Sequence, residues 1–279
     1  MQPQTAIPAQ PKQPQPAALG IFGTPVSTHR LERRRVTAGD RAFVIFRAVP
    51  LNPAPARGHP LLYMLDGNAA FDALTTAHLE ANPALAIAGI GYDTDLRFDV
   101  LARTLDYTPA ETPLAANGRR TGGADAFLDL LTGELRRQSE AGLPVDPLRR
   151  TLWGHSLAGM CTLYALLRKP GAFRRYASVS PSIWWNDEWM LDFEARAALP
   201  ENDAGINDAG VLVMLGDSER RSNPAGPHWE GPAPHTLEMV ERLKRRPGLQ
   251  VGHDIFAGLG HAATLPASLG PAMKLAGAG

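Results

Sequence analysis

The segment Gly154-His155-Ser156-Leu157-Ala158-Gly159 follows the short apolar run at residues 150–153 and opens onto the apolar stretch at residues 160–167. A serine among small residues at a strand-to-helix junction reads as a nucleophile elbow. The turn must be sharp, so that the serine Oγ stands clear of the backbone with a helix N-terminus beneath it. There the helix dipole and the N–H of Leu157 can stabilise a developing oxyanion. The pattern asks for glycine two residues after the serine, where helix and strand approach closely, and Ala158 adds one methyl at that point. The same six residues would also serve as a small-residue turn in any α/β protein.

The elbow sits in an alternating pattern. Residues 43–49, 61–65, 85–90, 176–179, 211–215 and 250–256 read as strands. Residues 125–141 carry Phe127, Leu130, Leu131 and Leu135 at the spacing of an amphipathic helix. Further helices are expected at residues 235–246 and from about Pro266. Short apolar runs separated by helices imply an α/β fold, a mostly parallel sheet covered on both faces. Residues 92–123 form a long excursion rich in Pro, Gly, Asp and Arg, and loops of that length are often functional. Residues 1–20 hold Gln, Pro and Ala with almost no large apolar side chain, and are expected to be a disordered tail before one domain at residues 21–279.

Charge and composition remove several classes of function. The 279 residues carry 28 basic and 28 acidic side chains, so no basic stripe argues for nucleic acid. No run of about 18 apolar residues is available to span a membrane. Cys161, the single cysteine, excludes an internal disulfide framework and reads as a buried thiol in the elbow helix. The first residues lack the apolar core of a secretory signal, which implies a cytoplasmic protein, or a periplasmic one whose leader has been removed.

A nucleophilic serine needs a base, and the base needs an orienting acid. In the α/β-hydrolase arrangement the chain order is serine, acid, histidine. His29, His59, His78 and His155 precede or adjoin the serine, His228 and His235 lie in a Pro/Gly-rich loop or at a helix start, and His253 falls inside a strand. His261 remains, in a Gly-rich loop after the last strand. The acid belongs after the strand ending at Leu215, where Asp217 and Glu219 both qualify and Glu219 is preferred because the turn has by then opened toward the site. Asp66-Gly67-Asn68, after an early strand, offers the backbone N–H of Gly67 or Asn68 as a second oxyanion donor beside Leu157, though it is also a common turn sequence.

Six blocks occur in order: Leu62-Tyr63-Met64-Leu65-Asp66-Gly67-Asn68, Arg103-Thr104-Leu105-Asp106-Tyr107-Thr108-Pro109, Arg120-Thr121-Gly122-Gly123, Leu152-Trp153-Gly154-His155-Ser156, Ser180-Pro181-Ser182 and Gly258-Leu259-Gly260-His261. Together they resemble the esterases that hydrolyse catecholate siderophores, the enterobactin and salmochelin trilactone hydrolases, and most closely their periplasmic branch. The resemblance spans roughly residues 40–275. It implies an α/β-hydrolase fold, Ser156 as nucleophile, His261 as base, Arg103 near the active site, and cleavage of serine-trilactone esters in ferric or iron-free siderophores. Some periplasmic members work as a Ser–His dyad, so the resemblance does not itself carry an acid.

A ferric tris-catecholate is anionic and aromatic, so its binder should present arginines and flat rings. Arg103, Arg119 and Arg120 in or beside the long excursion, and Trp184-Trp185 after Ser180-Pro181-Ser182, are the candidates. Surface charge for Arg119 and Arg120, and apolar packing for the tryptophans, are the competing roles. No cofactor is expected, iron entering only with the substrate. The loop from Pro227-His228-Trp229-Glu230 to His235 has too little defined spacing for a metal site. The expected partner is a small-molecule siderophore substrate of a monomeric protein, with no nucleic acid and no membrane insertion. A general carboxylesterase, or a siderophore binder disabled at Ala158, are the alternatives.

Overall fold

The computed structural model describes residues 14–113, 118–197, 208–221 and 229–278. Eight strands form the main sheet: β1 (His29–Ala38), β2 (Arg41–Pro50), β3 (His59–Leu65), β4 (Ala86–Tyr92), β5 (Val145–His155), β6 (Arg175–Val179), β7 (Ala209–Gly216) and, last in the chain, β10 (Leu249–Phe256). A separate small ribbon joins β8 (Arg220–Arg221) to β9 (Trp229–Glu230). The spatial order is β1-β2-β4-β3-β5-β6-β7-β10. β1 and β2 pair antiparallel with each other, as do β2 and β4, and the remaining six strands run parallel.

The helices are α1 (Gly67–Ala73), α2 (Thr76–Glu80), α3 (Val100–Tyr107), α4 (Ala124–Thr132), α5 (Glu134–Glu140), α6 (Leu157–Arg168), α7 (Trp185–Arg196), α8 (Pro234–Lys244), α9 (His261–Ala267) and α10 (Leu269–Gly277). The central strands read as unbroken apolar runs because both faces are covered. Successive side chains alternate between two cores, as a period of two demands. Leu61, Tyr63 and Leu65 join the cluster beneath α4 and α6, whereas Leu62 and Met64 join the one that holds Phe71, Leu265, Leu269 and Met273. None of the helices among the described residues is long and apolar enough to cross a membrane.

Several elements differ from the sequence reading. β1 was not expected, because its run of arginines hides the alternation that packs Val36 and Ala38 inward. Its charges suit the edge of a sheet, where unpaired backbone would otherwise recruit other strands. The helix expected at residues 125–141 is two helices broken at Gly133, and the last helical region begins at His261 rather than near Pro266. Residues 1–13 of the expected tail lie outside the described residues. Residues 17–19 are held on the body, with Ala17 N–H donating to the Asp95 carbonyl and Ala18 and Leu19 N–H to Asp72 Oδ1. The expected tail is therefore too long at its C-terminal end.

The excursion at 92–123 contains α3, and its block residues are tethers. Asp106 accepts two bonds from Arg41, at 2.6 and 2.7 Å, and one from Tyr92 Oη at 2.9 Å. Thr108 Oγ1 accepts from Gly122 N–H at 3.0 Å, and Gly123 N–H donates to the Leu105 carbonyl. These bonds tie the excursion to β2 and to the C-terminal end of β4 and close it on itself.

The tightest constraint lies under the elbow. A Cβ on Gly154 would collide with the Ala158 carbonyl and come within 2.8 Å of Thr162 Oγ1, and one on Gly159 would come within 2.7 Å of the Val179 carbonyl. Ala158 is fully buried, so its methyl is accommodated and the close approach falls on Gly154 and Gly159. Replacing Gly154 by alanine should destabilise the protein by about 3 kcal/mol, an overpacking cost set against backbone that cannot yield. Gly252→Ala, whose Cβ would approach only a flexible leucine tip at 3.8 Å, should be close to neutral. Urea unfolding of both variants checks the contrast; equal stabilities would show that α6 can slide along β5.

Candidate active site

Ser156 ends β5 and begins α6 with φ 63° and ψ −119°, a backbone that an L-residue adopts only under constraint. Its N–H donates to the Val179 carbonyl at 2.9 Å, so the neighbouring strand β6 holds the turn in place. The Leu157 N–H opens α6, among the first-turn donors that no helical carbonyl can serve. Asp66 is likewise left-handed at φ 50° and caps α1, so the N–H groups of Gly67 and Asn68 open that helix at the C-terminal end of β3. The two helix starts flank one another across the adjacent strands β3 and β5. The Asn68 side chain is committed elsewhere: its amide donates to the Tyr92 and Thr94 carbonyls and accepts from Tyr92 N–H. Only the backbone of Asn68 remains for an oxyanion.

His261 opens α9, immediately after the loop that leaves β10. Its Nε2 lies 3.0 Å from Ser156 Oγ and its Nδ1 3.4 Å from Glu219 Oε2. The other carboxylate oxygen of Glu219 accepts from Ser180 Oγ at 2.6 Å and from Gly216 N–H at 2.8 Å. Burial would raise the Glu219 carboxyl, but the bonds from His261, Gly216 and Ser180 outweigh it and hold the group below the usual carboxylate range. With Glu219 ionised, His261 carries its proton on Nδ1 and turns the Nε2 lone pair toward the serine. Exposure rises along the chain of groups, from 6% for the Glu219 side chain to 43% for His261, so the reacting end faces solvent.

Asp217, the competing acid, points away. Its Oδ1 accepts from Gly258 N–H at 2.7 Å and from Ser218 Oγ at 3.0 Å. Together with Asp217 N–H to the Phe256 carbonyl and Ser218 N–H to the Leu259 carbonyl, it stitches the turn after β7 to the loop after β10. That seam is what brings Glu219 and His261 together.

Arg103, expected at the substrate, is buried in an ion pair. Its Nε and Nη2 contact the Asp66 carboxylate at 2.8 to 3.1 Å, and Nη2 reaches the His155 carbonyl at 3.4 Å. Tyr107 Oη accepts from Asp66 N–H at 3.1 Å, so one turn of α3 fixes the loop that carries Gly67. Arg119 and Arg120 are exposed beside residues 114–117, which lie outside the described residues. Trp184 is half-buried, while Trp185 packs with Trp189 and Phe193 on the core. Asn186, Asp187 and Glu188 follow, all left-handed, and Glu188 is clasped by His235 Nδ1 at 2.9 Å. Pro227 and His228 of the loop weighed for metal lie outside the described residues, and no group of three metal-ligating side chains occurs among the described ones.

Sequence reasoning missed three supports. Ser180, itself left-handed at φ 41°, bonds Glu219 and lies 2.7 Å from Thr264 Oγ1, which donates to the His261 carbonyl. His155 Nε2 also donates to that carbonyl, at 2.9 Å, with the two rings 4.8 Å apart. Ser182 Oγ sits 3.4 Å from Ser156 Oγ. The blocks Ser180-Pro181-Ser182 and Gly154-His155-Ser156 signalled importance without saying which side chain does what.

Two predictions follow from this geometry. Glu219→Gln should lower turnover by about 10²-fold or more, because the imidazole loses both its orientation and its countercharge. Asp217→Asn, whose amide Oδ1 can still accept from Gly258 N–H, should stay close to wild type, and steady-state kinetics on a simple ester ranks them; the opposite ranking would move the acid. Burial and the neighbouring His261 depress the His155 imidazole to about 3. The unfolded chain takes up a proton near pH 6.5 while the folded one does not, so this stability is present above pH 6.5 and lost as pH falls toward 3. The loss is at most about 1.4 kcal/mol per pH unit. Urea melts from pH 7 to 4.5 should show a shallower slope for His155→Gln, and parallel slopes would mean that folded His155 is already protonated.

A family model described as "Putative esterase" matches residues 43–230. The chain is 31% identical over 257 residues to the ferri-bacillibactin esterase BesA of Bacillus subtilis, covering 85% of each protein. It is 42% identical over 155 residues to the apo-salmochelin esterase of Escherichia coli O6:H1, covering 52% of this chain and 48% of that one. Among solved structures, the enterobactin hydrolase IroE in complex with DFP superposes with a TM-score of 0.75 at 28% identity, over 93% of this chain and 100% of the other. An elbow serine under an imidazole, on a sheet shared with these proteins, makes the chain an esterase of the α/β-hydrolase type that belongs to the siderophore esterase family of BesA and IroE.

Proposed function

We propose that this esterase opens the ester bonds of the cyclic backbone of catecholate siderophores, using Ser156, His261 and Glu219 as nucleophile, base and orienting acid. The observation that carries the reading is the 3.0 Å contact between His261 Nε2 and Ser156 Oγ at a left-handed elbow. His261 takes the serine proton as Oγ bonds to the ester carbonyl carbon, and the carbonyl electron pair moves onto oxygen. The N–H groups of Leu157 and of Gly67 or Asn68 receive that charge. The tetrahedral centre collapses, the backbone alkoxide leaves with the proton from His261, and an acyl-enzyme remains. Water then repeats the sequence in reverse, freeing Ser156 and a carboxylate.

The relatives support the substrate class, since those named above act on ferri-bacillibactin, apo-salmochelin and enterobactin. The site is complete within one chain, which supports a monomer as the working unit. Arg103 acts here by fixing the Asp66–Gly67 loop, while Arg119, Arg120 and Trp184 remain the candidates to meet the anionic, aromatic ligand.

Mass spectrometry of products from enterobactin, offered with and without iron, tests the assignment. The expected products are the linear trimer and shorter fragments, each ester cleaved adding one water. Ser156→Ala and His261→Ala should give none while keeping the wild-type fold. Hydrolysis of a nitrophenyl ester at a rate equal to or above that of enterobactin would make the protein a general carboxylesterase instead.

A further inference from the structure

Ser182 is a buried side chain, 2% exposed, beside the reacting atom, and the mechanism above does not use it. Its Oγ lies 3.4 Å from Ser156 Oγ, and its N–H donates to the Ser156 carbonyl at 3.2 Å. The direction of the hydroxyl contact follows from proton counting. Ser156 has one hydroxyl hydrogen, and it points at His261 Nε2, whose lone pair is free because Nδ1–H faces Glu219. Ser182 must therefore be the donor and Ser156 Oγ the acceptor.

Position is enforced from both sides of Pro181. Ser180 donates to Glu219 and lies against Thr264 Oγ1, and Ile183 N–H closes a tight turn on the Pro181 carbonyl at 2.8 Å. The tripeptide therefore ties the acid through one serine and sets the next serine against the nucleophile. Fixing both ends on one short turn leaves Ser182 little freedom to swing away.

We propose that Ser182 is a further catalytic residue, a hydroxyl that stabilises negative charge on Ser156 Oγ during its attack and again during its release. This rests on Ser156 being the nucleophile. At 3.4 Å the contact is long for two neutral hydroxyls, whose usual separation is about 2.7–2.8 Å. When His261 removes the serine proton, Oγ acquires alkoxide character, and an O–H donor to an anionic oxygen closes to about 2.5–2.7 Å. A bond that is weak in the resting state and strong in the transition state accelerates the reaction, whereas equal strength in both would not. Ser182 keeps its own proton throughout. The proton of Ser156 goes to His261 and on to the leaving oxygen, and in deacylation a water proton follows the same route back to Ser156.

The test compares Ser182→Ala, Ser182→Cys, Ser182→Thr and Ser156→Ala on p-nitrophenyl butyrate, with thermal melts of each. Ser182→Ala should lower kcat/KM by about 10- to 100-fold with KM unchanged, the cost of one hydrogen bond to a charged group. Inactivation by phenylmethylsulfonyl fluoride, which needs only the attack step, should slow by a similar factor. The threonine variant, which retains the hydroxyl, should restore most of the rate. The cysteine variant, of nearly the same volume but a poor donor, should behave like alanine and covers the case in which alanine unfolds. A kcat/KM within twofold of wild type in a folded alanine or cysteine variant would overturn the proposal while leaving Ser156 as nucleophile. So would a loss carried by KM alone. Full turnover by Ser156→Ala would instead overturn the esterase mechanism itself.

Discussion

The contact of α6 with the ends of β5 and β6 is the constraint on which the rest of the active face depends. Gly154 lets the Ala158 carbonyl lie against the strand, and Gly159 lets the helix meet the Val179 carbonyl. With the helix held this close, the single residue joining strand to helix has no room for ordinary dihedrals and Ser156 is forced left-handed. Strain at that residue is maintained by packing over the full length of α6, ten of whose twelve residues are buried. The presentation of Ser156 is thus a by-product of backbone proximity two residues before and three residues after it.

Around that point the site is assembled from loops that are each anchored by something other than the reacting groups. Asp217 and Ser218 join the turn after β7 to the loop after β10, which sets the distance between Glu219 and His261. Asp66 is held by Arg103 and Tyr107, which sets the loop that carries Gly67 and Asn68 after β3. His155 and Thr264 both bond the His261 carbonyl, so the imidazole is steered through its own backbone. Each of these buried polar side chains has at least one hydrogen-bond partner, the condition under which burial rigidifies a site.

Much of the architecture was legible in the chain. Strands such as residues 61–65 and 211–215 announce themselves because a parallel strand covered on both faces is apolar throughout, and helices between them follow from the need to cross back. β1 was not legible, since an edge strand rich in arginine looks like solvated loop until its partner β2 is known. α3 was hidden among Pro, Gly and Asp, where its ties to distant residues, Asp106 to Arg41 and Tyr92 and Thr108 to Gly122, leave no local signal.

Sequence alone put forward Ser156 and His261, because an elbow motif and chain order leave them as the candidates, and the structure sets them 3.0 Å apart at the C-terminal ends of parallel strands. It also narrowed the candidate acid to Asp217 or Glu219. Only the tertiary structure sets Glu219 rather than Asp217 against His261, because the loop seam consumes the Asp217 carboxylate. It likewise pairs Arg103 with Asp66 and sets Ser182 beside Ser156. These outcomes rest on distances of a few ångström between residues far apart in the chain, and such distances arise from packing rather than from composition, periodicity or order.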